Sequence, residues 1–168
     1  MTVAIAARFK GGVLCATDSA ITTGGSRIER ANIKGFAKNG SFYLFAGAVY
    51  YAQRVEFSEQ DTIRNALIEV AAEADEDSPE DGCNLVEVTP SGQLVVWEYT
   101  GGFTIVEDYA AVGSGADMAL FGLDLVYQPN RSEKWLREHI ANIIEKIEKR
   151  DTGVFRPIHW QALYDSPT

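Results

Sequence analysis

The stretch that decides the fold is Thr2-Val-Ala-Ile-Ala-Ala-Arg-Phe-Lys-Gly-Gly-Val-Leu-Cys-Ala-Thr-Asp18-Ser19. Val3, Ile5, Ala7 and Phe9 alternate with Ala4, Ala6, Arg8 and Lys10, the period of two of a strand. Gly11-Gly12 is a turn signal, and Val13 to Ala16 is a second apolar run, so the segment reads as a hairpin.

Outward from the hairpin, Thr22-Thr-Gly-Gly-Ser26 reads as a loop and Phe42-Tyr-Leu-Phe-Ala46, continuously apolar, as a strand covered on both faces. The period then changes. A short helix fits Val49 to Phe57, and Ile63, Ala66, Leu67, Val70, Ala71 and Ala74 line one face of a second helix. Residues 73–81 hold six acids, which fits a solvated helix end and loop. Strands return at Asn84–Thr89 and Gln93–Tyr99 about the turn Pro90-Ser-Gly92, then at Phe103–Val106 and Tyr109–Val112. A helix follows Gly113-Ser-Gly115 and ends at Pro129-Asn130. Ser132 caps a last helix whose apolar face is Leu136, Ile140, Ile143, Ile144 and Ile147, and Pro157–Leu163 reads as a final strand. Every helix has one apolar face to bury. The economical solution is one α+β domain over residues 1–168, a four-layer αββα sandwich of two antiparallel sheets with helices outside both.

Composition narrows the function. The 168 residues carry a formal net charge of −9, a poor basis for binding nucleic acid, since phosphates call for clustered cations. No apolar run reaches the length of a membrane span, and the N-terminus has no secretory pattern, so the expectation is a cytoplasmic protein with no membrane partner. Two His (His139, His159) and two Cys (Cys15, Cys83) are too few for most metal sites. They also make a histidine-based hydrolase improbable, and neither a metal nor a cofactor is expected. The cysteines read as two buried thiols.

Thr2 follows the initiator Met directly. If Met1 leaves, Thr2 holds a hydroxyl and a free α-amine whose ordinary pKa is about 7.7–8.0, a nucleophile and a base on one residue. Asp18 lies 16 residues further on and Lys34 lies 32 residues further on. At these offsets the sequence resembles the proteasome β-subunit and HslV-type family of N-terminal-nucleophile (Ntn) hydrolases, the threonine peptidase branch. The similarity runs ungapped through the first hairpin and continues at Asn32-Ile-Lys34, Phe45-Ala-Gly47 and Val112-Gly113-Ser114-Gly115-Ala116, covering nearly the whole chain.

The resemblance implies a threonine-type peptidase cleaving peptides or unfolded protein. Thr2 would attack, with its α-amine or Lys34 taking the proton, and Asp18 would hold Lys34 charged. Gly47 would donate to the oxyanion, Ser114 would relay a proton, and Asp151 would belong to the same site. By position Ile21, Asn32, Ala46 and Tyr50 resemble residues lining the substrate pocket. It also implies a homo-oligomeric ring, with an ATPase unfoldase as a possible partner. The chain departs from the pattern in two places. Val154 stands where the family has Ser after Asp151, and only 35 residues separate Gly47 from Cys83, which shortens the first helix. These departures keep two other functions in play on the same fold, a non-peptidase Ntn amidohydrolase and a catalytically silent assembly protein.

Overall fold

The computed structural model describes residues 2–23, 26–29, 33–72, 83–151, 154 and 156–165. Strands β1 (Ala4–Phe9) and β2 (Gly12–Thr17) form the hairpin, in register from Ala4 opposite Thr17 to Phe9 opposite Gly12. Its turn needs glycine at Gly11, where φ is 100°. A two-stranded ribbon follows, β3 (Ala20–Thr23) and β4 (Ser26–Glu29). Then come β5 (Gly35–Lys38), β6 (Ser41–Gly47), the helices α1 (Val49–Phe57) and α2 (Ile63–Ala72), and β7 (Cys83–Val88). The chain continues through β8 (Leu94–Trp97), β9 (Phe103–Val106), β10 (Tyr109–Val112), α3 (Ala116–Val126), α4 (Glu133–Glu148) and β11 (His159–Tyr164).

The strands assemble into a four-stranded sheet, in the order β10-β1-β2-β11, and a five-stranded sheet, in the order β5-β6-β7-β8-β9. All pairs are antiparallel. Alternation along β1 and β2 divides their side chains between two cores. Ile5, Ala7, Phe9, Leu14 and Ala16 pack against α3 and α4, while Ala4, Ala6, Val13 and Cys15 meet Leu44, Ala46, Val86 and Leu94 of the other sheet. A third core fills the space between the five-stranded sheet and α1 and α2, with Phe45, Leu85, Val55, Leu67 and Val70. These three cores make the four-layer αββα sandwich expected from the sequence.

The helices form as their patterns dictate. The Ser132 side chain accepts the Trp135 N–H at 3.3 Å, capping α4, and Leu136, Ile140, Ile144 and Ile147 are then fully buried one above another. Each such side chain contributes about 1.5–3 kcal/mol of burial. One expectation changes. The segment read as a loop, Thr22 to Ser26, carries the facing ends of β3 and β4, with Thr23 paired to Ser26. Polar β-branched residues made those strands look like loop. The acidic run at residues 73–81 lies outside the described residues. Among the described residues no helix is long and apolar enough to cross a membrane.

Cys15 lies between the sheets and Cys83 beneath α1 and α2, both free and both buried. Burial pushes each thiol up to about 12, because the low-polarity interior disfavours a thiolate. Native protein is therefore expected to leave a disulfide reagent unreacted at pH 8, with two thiols titrating after denaturation. A thiol that reacts at the rate of free cysteine in the native state would contradict this burial.

Candidate functional site

At the end of the sandwich where β1 begins and β2 ends, the backbone of β2 delivers Thr17 and Asp18, both fully buried. Asp18 is tied into the start of the chain twice over. Its N–H donates to the Val3 carbonyl at 3.2 Å, and its Oδ1 accepts the Val3 N–H at 3.0 Å. Oδ2 accepts the Ala20 N–H at 3.0 Å, which turns the chain into β3. Lys34 arrives from the residue before β5, and its N–H donates to the Thr17 hydroxyl at 3.1 Å. Its carbonyl accepts the Phe45 N–H at 3.1 Å.

The side chains then converge. Lys34 Nζ lies 2.8 Å from Asp18 Oδ1. It also donates to Thr2 Oγ1, and Thr2 Oγ1 donates to Asp18 Oδ1. Thr2 is 6% exposed, Asp18 0% and Lys34 2%. The three residues that the 16- and 32-residue offsets single out thus form one buried, ionic, hydrogen-bonded triangle. Burial strengthens the attraction between the two charges and raises the cost of leaving either one alone.

A second chain of bonds meets Thr2 from the other side. The Thr2 N–H donates to Ser114 Oγ at 3.2 Å, and Ser114 Oγ donates to Asp151 Oδ2 at 2.6 Å. Ser114 lies between Gly113 and Gly115 in the loop that enters α3, and the Gly115 N–H reaches the Thr2 carbonyl at 3.3 Å. Asp151 follows the last turn of α4, where its N–H donates to the Ile147 carbonyl at 2.7 Å. Gly113 has φ 103°, and a Cβ there would come within 2.3 Å of the Thr2 carbonyl oxygen. Glycine is what lets this loop lie against the N-terminal segment.

The remaining expected positions are placed as follows. Gly47, with φ 120°, ends β6 directly after the buried Ala46, which stands beside Gly113. Tyr50 lies on α1, 61% exposed, with the Arg54 guanidinium 5.8 Å from its ring centre. Ile21 falls in β3, and Asn32 lies outside the described residues. Val154 is 1% exposed and belongs to the core under α3 and α4, its N–H closing a turn onto the Asp151 carbonyl at 3.1 Å. Apolar packing therefore holds the position where the family pattern has Ser. Thr17 is the site residue that the sequence reading passed over. Its one signal is a polar side chain at the close of an otherwise apolar strand. Among the described residues no three His, Cys, Asp or Glu side chains gather where a metal ion could be held.

The Thr2 hydroxyl is engaged both as a donor and as an acceptor. Thr2 Oγ1 spends its proton on the Asp18 carboxylate and accepts from an ammonium, so Lys34 stands as a donor there.

No family model matches the chain, and no curated protein matches it in sequence. Solved structures do match in fold. An Anbu mutant from Hyphomicrobium sp. strain MC1 superposes with TM-score 0.78 at 15% identity, over 98% of this chain and 82% of that one. Anbu from Yersinia bercovieri, described as an ancestral beta-subunit, gives 0.76 at 14% identity, over 96% and 81%. The helical assembly of the Anbu complex from Pseudomonas aeruginosa gives 0.75 at 12% identity, again over 96% and 81%. The fold is accordingly the proteasome β-like, Ntn-hydrolase fold that the first hairpin suggested. The expected threonine peptidase, with its hydrolase activity, is corrected by the same finding. The structures matched are those of Anbu, described as an ancestral beta-subunit and as a helical assembly and not as a peptidase. The physical reason the sequence misled is that Thr, Asp and Lys at family spacing specify the triangle, and the triangle alone does not supply a free nucleophile.

Proposed function

We propose that this chain is a catalytically silent, self-associating subunit built on the proteasome β-like fold. The observation that carries the reading is the state of Thr2, whose hydroxyl is buried and engaged at once by Asp18 and Lys34. In that state the triangle acts as a structural clasp between the start of β1, the end of β2 and the approach to β5. The description of one structural neighbour as a helical assembly supports self-association, and that of another as an ancestral beta-subunit fits a subunit role.

The test joins mass and turnover. Sedimentation of the purified chain is expected to give a multiple of the 18.4 kDa protomer. Fluorogenic peptides and small amides are expected to turn over at background rate, equally in the wild type and in Thr2→Ala. The intact mass is expected to be unchanged after incubation with a boronate or epoxyketone. Turnover that Thr2→Ala abolishes, or a covalent adduct on Thr2, would overturn the silent reading. A monomer at every concentration would overturn the assembly.

A further inference from the structure

We infer that β9 is a self-pairing edge, through which two copies of this chain join their five-stranded sheets across a two-fold axis at Thr104. The inference rests on the self-association proposed above and names the surface for one of its contacts. Strand β9 closes the five-stranded sheet, with β8 on one side and no strand of the described residues on the other. Phe103 and Ile105 are 55% and 54% exposed there, two large apolar side chains on one face of an open strand. Natural edges are ordinarily blunted by charge, proline or cover. Residues Phe103 to Val106 carry neither charge nor proline.

Backbone geometry restricts the register. The Glu98 N–H donates to the Gly102 carbonyl at 2.8 Å, so Gly102 turns its hydrogen-bonding groups toward β8. By alternation Thr104 and Val106 do the same, in line with their pairing to Val96 and Leu94. The N–H and C=O groups of Phe103 and Ile105 therefore point outward. An antiparallel copy must satisfy two conditions. Outward groups must meet outward groups, and side chains facing one another must lie on the same face. Registers centred on Phe103, Thr104 or Ile105 meet both, and only the one centred on Thr104 sets each exposed apolar side chain against another: Phe103 faces Ile105 of the second copy, Ile105 faces its Phe103, and Thr104 faces Thr104. The exposed aromatic then sits beside a β-branched partner, a favourable cross-strand combination. In the same register Val106 faces Gly102 and Glu107 faces Gly101, so no like charges oppose one another despite the acidity of the chain.

The register makes a sharp test. Thr104 opposite Thr104 is a non-hydrogen-bonded pair, whose Cα atoms lie about 4.5 Å apart. That falls within disulfide reach. Thr104→Cys is expected to give disulfide-linked dimers under mild oxidation, in most of the chains. Glu107→Cys, six positions from its own copy in this register, is expected to give none. The native cysteines are buried and do not compete. Ile105→Lys, at an exposed position, is expected to fold normally and to halve the sedimenting mass. If the wild type assembles while Thr104→Cys stays uncrosslinked and Ile105→Lys keeps the full mass, β9 is not the contact and self-association stands by another surface. If the wild type is monomeric throughout, self-association itself fails, and the β9 pairing with it.

Discussion

Asp18→Ala is expected to be the most damaging single change in the molecule. Its carboxylate accepts from four donors, Thr2 Oγ1, Val3 N–H, Lys34 Nζ and Ala20 N–H, in a place without solvent. Removing it strands the Lys34 ammonium and two backbone N–H groups at once. Breaking one side of a buried pair ordinarily costs about 3–5 kcal/mol, and the orphaned amides push toward the upper end. For a chain of this length each kcal/mol moves the melting temperature by roughly 2–4 °C, so a fall of at least about 6 °C is expected. Thermal unfolding by circular dichroism reads it. The comparison variant is Asp18→Ala combined with Lys34→Met, which removes the stranded charge. It should recover part of the loss, because apolar replacement of a whole buried pair is often close to neutral. A double variant less stable than Asp18→Ala would show that Lys34 is held by other partners.

Gly113→Ala carries the second large effect, through space and backbone together. An added Cβ would meet the Thr2 carbonyl oxygen at 2.3 Å and the Ala46 Cβ at 3.0 Å, and neither is the end of a flexible side chain. The φ of 103° adds strain for any residue with a Cβ. Overpacking costs about 1–3 kcal/mol and a strained backbone about 1–3 kcal/mol. The variant is expected to lose roughly 2–6 kcal/mol in urea denaturation on the same grounds. Gly40→Ala is the control. It also has positive φ, 83°, but meets only Pro90 Cγ at 3.6 Å, so it reports backbone strain alone. Equal losses in the two would remove the contact with Thr2 from the explanation.

Much of this architecture is legible in the residues. Gly11-Gly12 between an alternating run and an apolar one specifies the β1–β2 hairpin, and the isoleucines of α4 at 140, 143, 144 and 147 leave one face to bury. The ribbon β3–β4 is harder to see. Thr22, Thr23, Ser26 and Arg27 are polar, and a strand lacking an apolar face does not announce itself by hydropathy. The residue types that meet at the site are also legible, since two adjacent strands and a fixed spacing bring Thr2, Asp18 and Lys34 together. The state of the hydroxyl is not. Donor and acceptor roles depend on atomic geometry, and the same three residues can present a nucleophile or close a clasp. Val154 shows the same limit from the opposite side, since the substitution is visible in sequence but its burial under α4 is not.

The order of strands in the first sheet also dictates when the molecule can be finished. Strand β1 lies between β2 and β10, and β2 lies between β1 and β11, so the hairpin is synthesised well before its outer partners at residues 109–112 and 159–164. Until those segments emerge, a nascent chain displays two almost wholly apolar strands with open edges. Such long-range closure slows folding and leaves the hairpin prone to association with other chains in the interval. The clasp around Asp18 needs only residues up to Lys34, so it can form early and hold the hairpin in register while the rest of the sheet is awaited.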